Sequence, residues 1–340
     1  MLLPITIAVH TASVALFCAV KINSPASHLT CFCSCKTDIH DIPVNKHRRQ
    51  WIEDKLLELA SIFAIDLCAY AMMHNHYHVV LFIDKDCAEL WSELEVVEHW
   101  HQLFSGNTYS QRFLNDESMS VAEQANLSRS TGLWRARLMD ISWFMRILNE
   151  GIARLANRED HCTGRLWEGR FSSQALIDEK ALAACAAYVD LNPIRAGLAE
   201  SLSDSAHTSI KRRCEQAEQA KQPKQPNHKN QQASGLLPFV GNPRAHMPNG
   251  LPFRLNDYLA LVDWTGRMLR NDKRGSIPED VPPILVQLHI DPKHWCYLSQ
   301  HFDSEFKSLV DTAYHVKAAR KQFGQQWAHG IRACRAAFPT

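Results

Sequence analysis

The sequence lacks a long hydrophobic run. Nowhere do about 20 apolar residues follow one another, the length that a membrane-spanning helix needs, so we expect no membrane span. The apolar stretch 1–20 is interrupted by His10, and no basic residue precedes it, which argues against a secretory signal peptide. We therefore expect a cytoplasmic protein.

The chain also lacks net charge and a disulfide pattern. Its formal net charge is +1, so no global field attracts nucleic acid, and any such contact must come from local patches. Eleven cysteines, an odd number scattered along the chain, indicate a reducing compartment. Cys31, Cys33 and Cys35 have no second cysteine pair at zinc spacing, so we do not predict a zinc site there.

The length and composition predict two domains. A chain of 340 residues exceeds the roughly 250 residues at which single cores stop growing. Residues 215–250 are rich in Gln, Pro, Asn and Lys and have no apolar period, which is typical of a linker. The predicted divisions are therefore an atypical N-terminus (1–45), a first domain (46–214), the linker (215–250) and a helical C-terminal unit (251–340).

The apolar periodicity within the first domain predicts an α+β fold. Helical spacing of apolar residues predicts three helices, at 47–63, 86–104 and 140–160. A strand is predicted at about 66–83 and a shorter one at 169–177, and the polar stretch 106–132 is predicted to be a loop. A further helix starts at Asp178 and ends near Asn192, because the residue before Pro193 avoids the helical conformation.

Three histidines lie at alternate positions in AYAMMHNHYHVVLFID, residues 69–84. In a strand, His76 and His78 share one face and lie about 7 Å apart, close enough to chelate a divalent ion. Because 18 histidines in 340 residues are expected to produce about one His-x-His triplet by chance, other residues must support a site. The alternative is a pair of core imidazoles that bond to the backbone.

The helix predicted from Asp178 offers a partner for the histidines. Its first half is small and apolar, which suits close packing on a sheet, and Tyr188 and Asn192 lie on one side, four residues apart. A phenol beside a metal-bound phosphate is a credible nucleophile, and an amide oxygen is a hard ligand. Alternatively, Tyr188 is a helix anchor and Asn192 an ordinary turn residue.

Three segments in this order, NHYHVVL, GRLWEGRFSSQAL and AYVDLNPIRAGL, resemble the single-tyrosine HUH transposases, in particular the IS200-like and REP-associated tyrosine transposases. The resemblance runs from about Arg48 to Ile210. It implies a ferredoxin-like HUH domain at 46–214, with an antiparallel sheet flanked by helices. It also implies a strand transferase that cuts single-stranded or hairpin DNA through a 5′-phosphotyrosine intermediate during DNA transposition.

Carried over residue by residue, the resemblance implies a metal site and a nucleophile. His76 and His78 become ligands of Mg²⁺ or Mn²⁺, with Asn192 as a third ligand, and Tyr188 becomes the catalytic nucleophile. His74 is left out, because the family usually places proline or serine at this position.

The same segments contain the residues expected to contact DNA, the predicted partner. Arg165, Arg170 and Arg195 are the expected phosphate contacts. Trp167 and Phe171 suit either base stacking or the core. A homodimer is a candidate assembly. Two other functions stay open: an inactive or domesticated DNA-binding relative, and a metal-dependent phosphodiesterase that uses water.

The N-terminus departs from the family pattern, in which a central strand begins within the opening residues. Here only SHLTCFCSC, residues 27–35, stands in the corresponding place, and HLTC resembles a remnant of that strand. We therefore expect residues 1–45 to lack a well-packed central strand, and their deletion to cost less than about 1 kcal/mol.

Overall fold

The computed structural model describes residues 14–21, 46–176, 179–219, 232–241, 250–269, 280–305 and 309–310. One sheet contains the strands β1 (Val14–Lys21), β2 (Ile65–Met72), β3 (His76–Ile83), β4 (Ser172–Leu176) and β5 (Leu309–Val310). The helices are α1 (Lys46–Ile62), α2 (Lys85–Leu90), α3 (Glu93–His101), α4 (Thr108–Leu114), α5 (Val121–Leu138), α6 (Ile141–Glu159), α7 (Glu179–Asp190), α8 (Asn192–Arg195), α9 (Ser209–Gln219), α10 (Leu255–Leu269), α11 (Pro283–Gln287) and α12 (Pro292–Glu305). This mixture confirms the predicted α+β class.

The strands are ordered β2-β3-β1-β4-β5 across the sheet. β1 lies between β3 and β4 and is antiparallel to both, and β2 and β3 form an antiparallel hairpin. The register places Ala19 of β1 opposite His78 and Lys21 opposite His76. The histidine strand is therefore hydrogen-bonded on both sides.

The expectation that residues 1–45 lack a central strand is wrong for 14–21. VALFCAVK has no alternation of apolar and polar residues, which is typical of a strand covered on both faces and is easily mistaken for part of a leader sequence. Cys18 in its middle is fully buried, and burial raises the pKa of its thiol. The segment SHLTCFCSC, with its HLTC, lies outside the described residues.

Alternation along β3 separates the two faces of the sheet. The Tyr77 hydroxyl donates to Asn149 Oδ1 of α6 at 2.7 Å, and the Tyr70 hydroxyl, on the same face of β2, donates to Glu53 Oε1 of α1 at 2.5 Å. His78 points to the other face, where its ring contacts Tyr188 of α7. The sheet is thus covered by α1 and α6 on one side and by α7 on the other.

Three predicted elements differ from the structure. The helix predicted at 86–104 is divided at 91–92 into α2 and α3. The strand predicted at 66–83 is two strands, since the chain reverses at 73–75, where the Met73 amide donates to the His76 carbonyl at 2.9 Å. The polar loop predicted at 106–132 is helical instead. Asn107 and Ser120 accept hydrogen bonds as N-caps of α4 and α5, so the polar residues that suggested a loop begin helices here.

The outer edge of β2 is covered by the chain that follows α8. The Met72 amide donates to the His207 carbonyl at 3.0 Å, and the Leu237 amide donates to the Leu67 carbonyl at 2.8 Å. Arg213 of α9 donates to the Cys68 carbonyl at 3.0 Å. These contacts satisfy backbone groups that an open edge would present to other chains.

The helices of the predicted C-terminal unit pack on the first domain. Residues such as Leu261 of α10, Trp295 and Phe302 of α12 belong to the same hydrophobic cluster as Val79 and Ala184. The last part of the predicted helical unit, beyond residue 302, is described only at 303–305, where α12 ends, and at 309–310, which form β5. The division into domains stays a prediction. Among the described helices, none has the length and hydropathy needed to cross a membrane.

We expect a variant that begins at Asn45 to lose the cooperative thermal transition of the full chain. Without β1, the facing ladders of β3 and β4 are left open inside the sheet, and buried backbone groups without partners are costly. Circular dichroism melts measure this, with a variant that begins at Thr11 as the control for shortening, because it keeps β1. An unchanged transition in the shorter variant would contradict the central position of this strand.

Candidate active site

His76 and His78 lie side by side on β3, as the alternation predicts. Their ring centroids are 4.9 Å apart at an interplanar angle of 74°. His78 is 5% exposed, whereas His76, at the start of the strand, is half-buried. The pair therefore presents two imidazoles at the end of a fully paired strand.

Asn75 fixes the tautomer of His76. The Nδ1 atom lies 2.7 Å from Asn75 Oδ1. Because an amide oxygen only accepts hydrogen bonds, Nδ1 carries the hydrogen in the neutral ring, and Nε2 keeps its lone pair. Metal-binding histidines are commonly oriented by such a second hydrogen bond.

Tyr188 lies against this pair because α7 packs closely on the sheet. Most buried residues of α7 are small, among them Ala184, Cys185 and Ala187. The Tyr188 ring centroid is 5.8 Å from that of His78, with the planes at 75°. Tyr188 is 8% exposed. The structure therefore brings together the predicted nucleophile and one predicted metal ligand.

Arg195 contacts the face of the Tyr188 ring. Its guanidinium carbon lies 3.6 Å from the ring centroid, which is a close cation–π arrangement. The same guanidinium donates through Nη1 to the Ser299 carbonyl of α12 at 2.9 Å. Phe302 of α12 packs at 5.9 Å from the Tyr188 centroid. The role of Arg195 as a phosphate contact stays a prediction. In this structure its guanidinium group lies over the Tyr188 ring.

The other predicted site residues lie in different environments. Asn192 is 7% exposed and begins α8, one turn beyond Tyr188. Arg165 and Arg170 are exposed in the segment before β4. Trp167, between them, is a core residue: its indole donates to the Asn149 carbonyl at 2.8 Å and packs on Tyr77. The core alternative therefore holds for Trp167, and its base-stacking alternative is wrong.

The predicted donor set consists of two imidazoles, His76 and His78, and one amide, Asn192. Within the described part of the chain, no three His, Cys, Asp or Glu side chains converge as metal ligands. Two imidazoles and an amide oxygen can together hold a divalent ion, with open positions for water or phosphate. Metal binding stays a prediction.

A buried carboxylate two residues after Tyr188 was not anticipated from the sequence. Asp190 is 1% exposed and accepts hydrogen bonds from Ser209 Oγ of α9 and, at 2.6 Å, from the Tyr258 hydroxyl of α10. Burial raises the pKa of its carboxyl to about 6, against the lowering effects of these bonds and of buried Arg213. This network fixes the end of α7, and with it the position of Tyr188.

The chain was compared with protein-family models, with curated proteins and with solved structures. No protein-family model matches the chain, and no curated protein matches it. A solved structure of a REP-associated tyrosine transposase bound to a REP hairpin is similar at 11% identity. That match covers 59% of this chain and 79% of the other, with a TM-score of 0.34. At this score the match establishes neither the fold nor the function.

We expect Asp190→Ala to lower the free energy of unfolding by about 3 kcal/mol near pH 7, because it removes two buried acceptors and leaves Arg213 without a nearby negative charge. Urea unfolding curves measure this. Asp263→Ala is the matched control, since Asp263 is an exposed carboxylate on α10 paired with Arg267, and we expect little change from it. Equal effects of both substitutions would show that the network does not stabilise the fold.

The same pair of proteins tests the raised pKa of Asp190. Between about pH 4, its ordinary unfolded value, and about 6, the folded chain holds a proton that the unfolded chain has lost. The additional stability from this retained proton is therefore fully present below about pH 4 and is lost as the pH rises through about 6, above which only the contribution of the ionised carboxylate remains. We expect the difference in unfolding free energy between wild type and Asp190→Ala to be larger at low pH. A difference that shrinks on acidification would contradict the raised pKa.

Proposed function

We propose that this protein is a single-tyrosine HUH strand transferase that acts on single-stranded or hairpin DNA ends in transposition. The observation that carries the proposal is the contact of the Tyr188 ring with His78, whose neighbour on the same face of β3 is His76. A phenol beside a paired-imidazole site is the arrangement that this chemistry requires.

The topology supports a ferredoxin-like HUH domain. The succession β1–α1–β2–β3–α6–β4, with the order β2-β3-β1-β4 across the sheet, is compatible with the β-α-β-β-α-β motif. α1 and α6 cover one face. The opposite face is left for α7, which bears Tyr188.

The proposed reaction is a transesterification at phosphorus. The Tyr188 oxygen forms a bond to the phosphorus of a DNA phosphodiester and loses its proton, and the bond from phosphorus to the 3′ oxygen breaks. The 3′ oxygen takes up a proton, which leaves a free 3′-hydroxyl and a 5′-phosphotyrosine. Attack by a 3′-hydroxyl reverses the step and releases Tyr188. The phosphotyrosine conserves the bond energy, so no ATP is required.

The surrounding residues support this role for Tyr188. The guanidinium of Arg195 places a positive charge on the ring face, which favours the anionic phenol oxygen that attacks. His76, His78 and Asn192 would hold Mg²⁺ or Mn²⁺, which when bound supplies a Lewis acid for the phosphate oxygens. Arg165 and Arg170, both exposed, are proposed to contact DNA phosphates.

One observation favours a second function, that of a DNA-binding relative without catalysis. Tyr188 is only 8% exposed, since Phe302 and Arg195 pack on its ring. A side chain so covered also suits a structural anchor between α7 and α12. The two functions differ in whether a covalent protein–DNA product forms.

We expect Tyr188→Phe to abolish a covalent adduct with labelled single-stranded or hairpin DNA while it leaves DNA binding within about twofold, because one hydroxyl is a small part of a DNA interface. Denaturing gels with Mg²⁺, Mn²⁺ or EDTA measure the adduct, and native gels measure binding. Tyr109→Phe, at a half-buried tyrosine of α4, is the matched control and should keep the adduct.

The three candidate functions predict different products on these gels. Binding without cleavage in the wild type would favour the non-catalytic relative. Cleavage without an adduct would favour a phosphodiesterase that uses water. An adduct that persists in Tyr188→Phe would remove Tyr188 from the mechanism.

A further inference from the structure

A group of aromatic and basic side chains lies on the side of the fold away from Tyr188. We call it the α5–α6 surface and define it by Phe104, Arg137, Trp143 and Arg146. It rests on a layer of stacked indoles, since the Trp100 and Trp134 rings lie 5.3 Å apart and within 5° of parallel. α6 also contacts Tyr77, which points away from His78, so this surface is separate from the candidate active site.

Two arginines flank one indole of this surface. The guanidinium carbon of Arg137 lies 4.4 Å from the Trp143 ring centroid and 5.6 Å from that of Trp100. The guanidinium carbon of Arg146 lies 5.2 Å from the Trp143 centroid. The Phe104 ring meets Trp143 edge-on at 6.2 Å. The ring planes and the cationic groups therefore form one continuous patch.

The patch is accessible and carries positive charge. Phe104 is 39% exposed, and the Arg146 side chain is 59% exposed. The partner of Arg146 is Glu150 at 3.8 Å, a loose pair between exposed groups. Among the described residues no acidic group lies within ion-pair distance of Arg137. The nearby Asp140 carboxylate accepts hydrogen bonds from the Ser142 and Trp143 amides, where it caps α6.

We propose that the α5–α6 surface binds unpaired bases and phosphates of single-stranded DNA. Rings suit stacking on bases without sequence preference, and guanidinium groups pair with phosphates and stack on the same rings. The positive charge favours this occupant over an apolar peptide. The choice of DNA as the nucleic acid rests on the proposed function, whereas the surface itself needs no cleavage to bind.

The test is binding of the full chain to fluorescently labelled oligothymidylate in EDTA, followed by anisotropy. We expect the double variant Arg137→Ala/Arg146→Ala to bind about tenfold more weakly. Its plot of log affinity against log salt should be shallower by about 1.4, the slope of two phosphate contacts on a single strand. Melting curves confirm that the variant is folded.

The matched control is Arg129→Ala/Arg158→Ala, which removes the same charge from exposed positions of α5 and α6 outside the patch. We expect this control to lower the affinity for oligothymidylate by less than about threefold, because it loses only general charge attraction. Equal weakening by both double variants would overturn the proposal, as would unchanged binding by the first.

Crosslinking separates failure of this proposal from failure of the proposed function. Single strands that carry 5-iododeoxyuridine should crosslink to Trp143 or Phe104 under ultraviolet light, both in the wild type and in Tyr188→Phe. Crosslinks found only in peptides without Trp143 or Phe104 would contradict the proposal that the α5–α6 surface binds DNA. If no covalent adduct forms at Tyr188, these crosslinks should still appear, because they require DNA binding but no cleavage.

Discussion

The close packing of α7 on the sheet determines the candidate site. Alanine and cysteine side chains on the buried face let the helix approach β3, and Tyr188 then meets the His78 ring at 5.8 Å. A larger residue at Ala184 or Ala187 would push the helix outward and separate the phenol from the imidazoles. The site thus depends on the absence of side-chain volume as much as on its polar residues.

Elements that are distant in sequence hold this packing in place. Asp190 anchors the end of α7 to α9 and α10, and Arg195 connects the Tyr188 ring to α12. Within the sheet, β1 pairs with the histidine strand β3 along the edge opposite β2. Since each contact joins a different part of the chain to the site, a disturbance in any of them is expected to reach Tyr188.

The sequence predicted the parts of the fold whose signal is local. α1 and α6 follow from the spacing of apolar residues. The end of α7 was expected near Asn192 and lies at Asp190, but the expectation that the residue before Pro193 avoids the helical conformation is wrong, because Asn192 begins α8. β1 was missed because a strand covered on both faces has no alternation. α4 and α5 were missed because their polar residues cap helices and face solvent.

The parts of the site that escaped prediction depend on long-range contacts. The partners of Asp190 lie 19 and 68 residues away, and the Ser299 carbonyl lies 104 residues from Arg195. The spacing of apolar residues along the sequence does not predict partners that are so far apart in the chain. The one signal in the sequence was the position of Asp190 between Tyr188 and Asn192, after a run, 181–189, that is apolar apart from Tyr188. A charge in that setting requires buried partners.

Mass spectrometry of the protein–DNA product tests the central claim most directly. Wild-type protein would be incubated with hairpin DNA and Mn²⁺, then digested with nuclease and trypsin. Cleavage after Lys180 and Arg195 yields a peptide, residues 181–195, whose only tyrosine is Tyr188. The account predicts a nucleotide phosphate attached to this peptide through that tyrosine. Cleaved DNA with an unmodified 181–195 peptide, or with the nucleotide on another peptide, would contradict it.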